Sequence, residues 1–536
     1  MGRPAAAGMA TVVFAAIGIF AAAGLLSLTF SQGVVMSLGF GLFVALVLWA
    51  MSSTGVAFYA LLASALLEAL YKGLVPSMLT MLIKDVFLLI LIMRLVMVAQ
   101  RTRDYSWLKQ SFSTPALLLF LYCVALMFTP NTNSLLLALA GLRVWMLWMP
   151  VFFPVYYYFR DRATVMKFLT VVLAVNLPVS IYGIIQGNIG YEHTKVIPGF
   201  YAVTKWYQSD VHQPAEDEQE LSGSEAIDRE LNPIMNVRAC SIHLSPGTFG
   251  SMSCILVLIS MGMAISVTRS RTRFWCILSA LAAIGGMLAS GSRAPVFGLA
   301  GGLVTLIVLS PRRAGMIAAV LLVAMLGIFV LKDITGAGAE RLQKRLSVSD
   351  AIERTMYPFR IGFESALERP FGTGIATGVG VGRIFYGSKL KSAEDYRWVE
   401  NEFGRALIEL GIIGTFFWVL MLCRVMMQSF RAARYVLPTG WGGLSAAIVA
   451  AMVSIVIQLG VGSALYNAHP GLYFWIFAAA IVRLGEFAAK EQRQAGQDAA
   501  TRPPQPPEPA PELPEAVGYR SIRYRPGKSY PLRPHR

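Results

Sequence analysis

Three arginines lie at positions where hydrophilic segments of the chain meet apolar runs. Arg238 precedes the apolar run that begins near residue 246, Arg293 occupies a short turn between two runs, and Arg360 lies on an amphipathic segment. A guanidinium stays charged at physiological pH and binds two phosphate oxygens through parallel hydrogen bonds. If the three side chains converge on one membrane face, they form a site for a diphosphate. The alternative is that each arginine makes an ordinary loop ion pair.

Groups that could exchange a proton lie near the same boundaries. His243 follows Arg238 closely, Glu400 stands where a long hydrophilic segment re-enters an apolar run, and His469 occupies the last turn on that side. A carboxylate or imidazole in such a position can take a proton from an attacking hydroxyl. The five cysteines form no CxxC pair, so we expect no disulfide framework and no thiolate metal site. No cofactor is expected either.

The elements that position these residues are predicted to be membrane-spanning helices. The chain has 536 residues, of which 56% are apolar and 14% charged, with a mean hydropathy of +0.58, whereas about a quarter of the residues in a soluble domain are charged. Because one span needs about 20 apolar residues, the chain holds about fourteen candidates. We predict an all-α polytopic membrane protein with about 12–14 transmembrane helices.

The orientation follows from the basic residues. The net charge of +16 falls largely in short breaks between apolar runs, which is typical of cytoplasmic loops and not of nucleic-acid binding. Both termini are then cytoplasmic, and two long segments lie on the opposite, periplasmic or extracellular side. The predicted divisions are N-terminal transmembrane helices (1–186), a first long loop (187–241), central helices (242–331), a second long loop (332–402), C-terminal helices (403–487) and a disordered proline-rich tail (488–536).

The second long loop contains a predicted amphipathic helix. Its apolar residues recur at spacings of three and four and make one face: Ile352, Met356, Phe359, Phe363 and Leu367. Pro370 and the glycines that follow it end this helix in a loop.

Charged residues inside predicted spans are further candidates, because a charge at membrane depth costs about 2.5–3.5 kcal/mol on insertion scales. Lys84, Asp85 and Arg143 are the clearest cases. Arg143 is either a structural partner of Asp85 or a substrate ligand. These charges also suit a transporter, such as a flippase of lipid-linked oligosaccharides or a solute carrier.

Four motifs, in order, resemble those of the O-antigen ligase and O-antigen polymerase (Wzy-type) superfamily. They are Arg238 with PGTFG at 246–250, the Ser-Arg pair at 292–293, RTMYPFRIGFESALERPFGTG at 354–374 and ENEFGRALIELGIIG at 400–414. The resemblance covers roughly residues 230–425. One departure is Glu400, which stands where ligases of this family carry a histidine before the asparagine.

The resemblance implies a GT-C-like, metal-independent glycosyltransferase of the bacterial inner membrane. Such an enzyme acts in O-antigen, lipopolysaccharide or exopolysaccharide assembly and transfers a polyprenyl-diphosphate-linked glycan to a glycan or lipid acceptor. Its partners would be membrane lipids and other polysaccharide-assembly proteins. Arg238, Arg293 and Arg360 would hold the diphosphate, and Glu400, His243 or His469 would be the base. Because Glu400 replaces the family histidine, polymerase-type transfer is favoured over ligation, and an inactive assembly or export scaffold stays open as an alternative.

Overall fold

The computed structural model describes residues 34–74, 82–129, 135–189, 239–243, 245–311, 348–375, 401–462, 464–466 and 468–501. Within these ranges the chain is helical and contains no β-strand. The helices of the first part are α1 (Val34–Ser52), α2 (Thr54–Leu66), α3 (Glu68–Leu74), α4 (Ile83–Thr102), α5 (Ser113–Leu126), α6 (Leu135–Met146), α7 (Phe152–Tyr158) and α8 (Arg162–Ile189). Those of the second part are α9 (Pro246–Ser266), α10 (Ser270–Ala289), α11 (Arg293–Leu309), α12 (Val348–Glu368), α13 (Glu402–Val436), α14 (Gly442–Leu459) and α15 (Ala468–Thr501).

Six of the described helices are long and apolar enough to cross a membrane, namely α8, α9, α10, α13, α14 and α15. A seventh span forms if α6 is joined to the segment Met149–Tyr158, from which it is bent by 46°. The predicted all-α polytopic membrane fold is confirmed. The number of 12–14 spans stays a prediction, because candidate stretches such as 9–30 and 314–331 lie outside the described residues.

The centre of the bundle is α9, which is buried along its length. Small residues allow its neighbours to approach closely. A Cβ added to Gly262 of α9 would lie 2.1 Å from the Cβ of Ala447 on α14, and one added to Gly302 of α11 would lie 2.5 Å from a Leu258 methyl on α9. These glycines therefore allow α11 and α14 to pack closely against α9. This packing fixes the relative positions of side chains further along the helices.

The amphipathic helix predicted for the second long loop is α12. It ends at Glu368, two residues before Pro370. It packs on α13 through its small residues, and Gly362 contacts the Gly404 backbone. Of the predicted apolar face, Phe359 stacks on Phe403 of α13 with the ring centroids 5.8 Å apart, whereas Met356, Phe363 and Leu367 are exposed.

The last helix, α15, runs beyond residue 488. Helix α15 continues to Thr501, past residue 488 where the tail was predicted to begin, because residues 488–501 are rich in alanine, glutamine and charged residues that favour a helix. Interresidue contacts divide the chain into two compact units, Met1–Ala488 and Ala489–Arg536. The predicted division boundaries, including the start of the tail, stay predictions.

Candidate functional site

Four helices, α9, α11, α13 and α15, begin at one end of the bundle, which we call the helix-start face. The starts of α9 and α11 touch, since a Cβ on Gly250 would lie 2.6 Å from Ser290 Oγ and 2.9 Å from Pro295 Cγ. The turn after α14 reaches the same place, because a Cβ on Gly462 would lie 3.6 Å from the Cβ of Ala294. The first residues of α11 are therefore enclosed by two other segments.

The start of α13 is bonded to the segment that joins α14 and α15. The Asn401 side chain caps α13, its Oδ1 accepting from the Gly404 nitrogen at 2.7 Å, and its Nδ2 donates to the Gly460 carbonyl at 3.3 Å. The buried Glu402 carboxylate accepts a hydrogen bond from the Leu465 nitrogen at 2.9 Å. These bonds fix the start of α13 beside the connection that leads into α15.

His243 and His469, both predicted as proton-transfer candidates, come together at this face. Their ring centroids lie 4.5 Å apart with the rings nearly perpendicular, and the residues are only 1% and 2% exposed. His243 also stacks on Phe249, and neither of its ring nitrogens has a hydrogen-bond partner. Burial, with a smaller contribution from His469, holds the pKa of His243 well below its usual value. His243 is therefore a neutral imidazole.

The shared position of four helix starts gives this face its electrostatic character. Each helix N-terminus carries roughly half a positive charge, which favours a bound anion, although the Ser245 and Asn401 side chains already accept from one N–H group each at the starts of α9 and α13. Arg293 is the first residue of α11, where its side chain adds a full positive charge. The face therefore has the chemistry of an anion site.

Arg360 has a different environment. Its side chain is 80% exposed and donates to Glu364 one turn along α12 at 2.9 Å, and this hydrogen bond raises the Arg360 pKa. It lines an open groove together with Leu407 of α13. Arg360 is thus a charged group at a surface groove.

The remaining predicted site residues, Arg238 and Glu400, lie outside the described residues. Their chain neighbours are described. The Ala239 nitrogen donates to the Ala289 carbonyl at 3.1 Å, near the start of α11, and Asn401 caps α13. The roles of Arg238 and Glu400 stay predictions.

The sequence reasoning missed one buried arginine. Arg405, in the first turn of α13, donates to Glu409 at 2.9 Å and is almost fully buried. Its guanidinium lies over the rings of Tyr466 at 4.3 Å and Trp145 at 5.1 Å, and Trp145 donates to the second Glu409 oxygen at 2.8 Å. The Arg405 Nη2 is buried without a hydrogen-bond partner. The sequence contained a signal for this pair, because Arg405 and Glu409 are opposite charges four residues apart at the start of a predicted span.

A break in α13 anchors the segment that follows α12. Gly411 leaves the helical conformation, and residues 370–374 bond to the exposed backbone groups on either side of it. The Ile412 nitrogen donates to the Pro370 carbonyl at 2.9 Å, and the Thr373 nitrogen donates to the Ile408 carbonyl at 2.8 Å. The proline- and glycine-rich motif thus ties α12 to the first turns of α13, which carry Arg405.

The charges predicted inside the first spans are paired. Lys84 forms an ion pair with Glu68, and Arg143 forms one with Asp85. The structural reading of Arg143 as the partner of Asp85 therefore agrees with the structure. In the described part of the chain, no group of three or more His, Cys, Asp or Glu residues is arranged to hold a metal ion.

The fold and the site define a polytopic, all-α membrane protein in which the buried residues His243, Glu402, Arg405 and His469 lie where four of its helices begin. Residues 278–419 match the family model described as O-Antigen ligase, and this match supports the family resemblance that the sequence motifs predict. The matched region runs from α10 into α13 and contains Arg293, Arg360 and Arg405. A comparison with curated proteins finds no match. The family match indicates a role in surface polysaccharide assembly.

Proposed function

We propose that the protein transfers a glycan from a polyprenyl-diphosphate donor to an acceptor hydroxyl at the extracytoplasmic face of the bacterial inner membrane. The observation that carries the proposal is the meeting of four helix starts with Arg293 at one end of the bundle. A diphosphate leaving group gains negative charge as the glycosidic bond to it breaks. A face of helix N-termini and guanidinium groups stabilises that charge without reorganising during the reaction.

In this mechanism Arg293 holds the diphosphate, with Arg238 and Arg360 as further ligands. The proposal needs no metal ion, since guanidinium groups and backbone N–H groups supply the positive charge. Loss of one preorganised donor of this kind typically lowers the rate by about 10²–10³-fold. We expect an effect of that size for Arg293.

We assign the base to Glu400. It immediately precedes Asn401, whose two hydrogen bonds hold the start of α13 in place. The buried state of His243 and His469 supports a role in packing this face, where their rings contact each other. A carboxylate in the family histidine position favours polymerase-type transfer over ligation to a lipid core.

The distribution of arginines along the spans supports the proposed orientation. Arg434 lies in the last turn of α13, and Arg271 and Arg273 lie in the first turn of α10, both at helix ends opposite the helix-start face. Basic residues at that end are typical of the cytoplasmic side. The helix-start face then opens to the outside, where lipid-linked glycans are joined.

The test is complementation of a strain that lacks this protein. Arg293→Ala should yield little polymer and should accumulate the lipid-linked glycan, while Arg293→Lys keeps the charge and retains part of the activity. Arg434→Ala, at the opposite end of α13 and exposed, is the matched control and should behave like the unsubstituted protein. Polymer of normal length from Arg293→Ala, at a normal protein level, would overturn the proposal.

A second substitution separates an enzyme from an inert scaffold. Glu400→Gln keeps the size of the side chain and removes its basicity, so a scaffold should retain full polymer whereas the proposed enzyme should lose it. For a transporter, the purified protein would move labelled lipid-linked glycan across a vesicle membrane without joining sugars. Lys84 is paired with Glu68 and Arg143 with Asp85, which argues against a transport cavity lined by the charges of Lys84 and Arg143.

A further inference from the structure

The exposed surface of α12 is divided lengthwise into an apolar flank and a charged flank. The apolar flank consists of Met356, Phe363 and Leu367, which are 59%, 55% and 61% exposed and lie seven and four residues apart. The charged flank carries Glu364 and Glu368, which are exposed and four residues apart. Each glutamate directly follows an apolar residue, so the two flanks are turned by about 100° from each other. This separation indicates an apolar environment on one side and water on the other.

The residues at and beside the border of the two flanks suit a boundary between hydrocarbon and water. Arg360 lies between the flanks and is 80% exposed, and an arginine stem can cover apolar surface while its guanidinium stays in water. Tyr357, on the charged flank, is also exposed, and tyrosine is enriched at membrane–water interfaces. Between residues 356 and 369, two arginines balance two glutamates. The apolar side chains, and not a net charge, therefore determine what this surface contacts.

The third side of α12 is attached to the bundle. Phe359 stacks on Phe403 of α13 with the ring centroids 5.8 Å apart, and a Cβ on Gly362 would lie 2.8 Å from the Gly404 Cα. Turning the helix by about 100° to bury Phe363 would put its ring where only a glycine fits. The apolar flank is therefore left outside this contact because of how α12 is attached.

Contacts along α13 give the depth of α12 in the membrane. Phe359 lies beside Phe403 near the start of α13, and further along the chain Gly372 lies against Gly411. Arg424 is exposed and ends an uncharged stretch of α13 that contains Gly411. At about 1.5 Å per residue, Gly411 lies roughly 20 Å from Arg424, and the start of α13 roughly 33 Å from it. Since the hydrocarbon layer is about 30 Å thick, a layer that begins near Arg424 ends alongside α12.

The apolar flank joins the exposed apolar surface of the spans at Phe371. This residue follows α12 and is 65% exposed, and Tyr122 of α5 donates to its carbonyl at 2.9 Å. The neighbouring Pro370 carbonyl accepts from the Ile412 nitrogen of α13. Ile412 and Phe416 are exposed on α13, which is one of the candidate spans. One apolar surface thus runs from a span onto α12, and such a surface is favourable in hydrocarbon but not in water.

We propose that α12 is a membrane-interface helix, whose apolar flank and Phe371 insert among the acyl chains of the bulk bilayer while its charged flank faces water. Its C-terminal end lies deeper than its start, because it lies further along α13. Helices of this kind bury their apolar side about 5–10 Å into the boundary between headgroups and acyl chains. The contact of Gly372 with Gly411 then links the membrane surface to the first turns of α13. The inference goes beyond glycan transfer and does not depend on it.

Spin-label accessibility tests this assignment in the full-length protein, reconstituted in phosphatidylcholine vesicles. Phe363→Cys and Leu367→Cys carry a nitroxide on the apolar flank, and Glu364→Cys and Glu368→Cys carry it on the charged flank as directly adjacent, matched controls. Oxygen concentrates in hydrocarbon whereas a nickel chelate stays in water. The ratio of the two collision rates with the nitroxide therefore reports whether each position lies in lipid or in water.

Two further variants give the reference and the depth. Each variant also carries Cys423→Ser, because Cys423 is exposed whereas the other four cysteines are buried. Phe416→Cys supplies the ratio for a side chain exposed on a span. Met356→Cys is a third position on the apolar flank, nearer the start of α12, and keeps the test open if one of the other two variants folds poorly.

We expect the ratio of oxygen to nickel collisions to be several-fold higher at positions 363 and 367 than at 364 and 368. It should rise from position 356 to 367 and approach the value at 416. Equal ratios on the two flanks overturn the inference. Exclusion of both reagents from positions 363 and 367 also overturns it, because a second copy of the protein or another segment of the chain then covers the flank. Dipolar broadening of the spectra would identify the second copy. Since these ratios do not depend on glycan transfer, this inference and the proposed function can fail separately.

Discussion

Gly372 and Gly411 lie backbone against backbone, so that a Cβ on Gly411 would fall 2.3 Å from the Gly372 nitrogen. Both residues have positive φ, +83° and +65°, a conformation that costs other residues conformational energy. The contact fixes the segment after α12 at the break in α13. It therefore determines where α12 and its groove lie relative to Arg405.

Replacing Gly411 by alanine should destabilise the protein. The positive φ alone costs about 1–3 kcal/mol, and the added Cβ would also collide with the Pro370 carbonyl oxygen, which lies 2.2 Å from its position. Thermal unfolding of the purified protein in detergent measures the effect. Gly440→Ala is the matched control, because a Cβ there meets nothing within 4 Å. Equal unfolding temperatures for the two variants would contradict the role given to this contact.

Neutralising one member of the Arg405–Glu409 pair should destabilise the folded protein more than neutralising both. Arg405→Gln leaves the fully buried Glu409 carboxylate without its cation, and breaking a buried ion pair in this way costs about 3–5 kcal/mol. In the double variant Arg405→Gln/Glu409→Gln no unpaired charge remains, so much of the stability should return. Denaturation of the two variants and of the unsubstituted protein provides the comparison. Additive losses in the double variant would show that the two side chains do not act as a pair.

The cap of α13 should be replaceable by another capping residue but not by alanine. Asn401→Ala loses the hydrogen bond to the Gly404 nitrogen as well as the one to the Gly460 carbonyl, and loss of an N-cap costs about 0.5–2 kcal/mol. Asn401→Ser keeps the first bond and should be less affected. Polymer yield in the complemented strain should follow the same order, since the cap holds the residue next to Glu400. An alanine variant as stable and as active as the serine variant would argue against the cap.

His243 should make the protein less stable in acid. Because burial lowers its pKa in the folded state, the unfolded chain binds a proton near pH 6.5 that the folded protein does not bind. The free energy of unfolding therefore falls as the pH drops below about 6.5, by up to about 1.4 kcal/mol per pH unit for one proton. His243→Phe removes this proton, so its unfolding free energy should fall less between pH 7 and pH 5. An identical pH dependence in both proteins would mean that His243 is protonated in the fold.

The linear order of residues was sufficient to predict the membrane fold and the resemblance to the O-antigen ligase family that residues 278–419 match. Apolar runs of about 20 residues have few alternatives to spanning helices, because a backbone in hydrocarbon must satisfy its own hydrogen bonds. The amphipathic period of α12 and the ordered motifs around Arg293 and Arg360 could also be predicted, because both are local patterns along the chain.

The tertiary structure alone decided which side of α12 packs and which residues meet. Periodicity identifies an apolar face but not its partner. In the structure Gly362 of α12 lies against the Gly404 backbone and Phe359 contacts Phe403, while Met356 and Phe363 stay exposed. The contact of His243 with His469 joins residues far apart in the chain, and the burial of Arg405 between two rings depends on side chains from other segments. Such relationships arise from packing between distant elements, on which local sequence patterns carry no information.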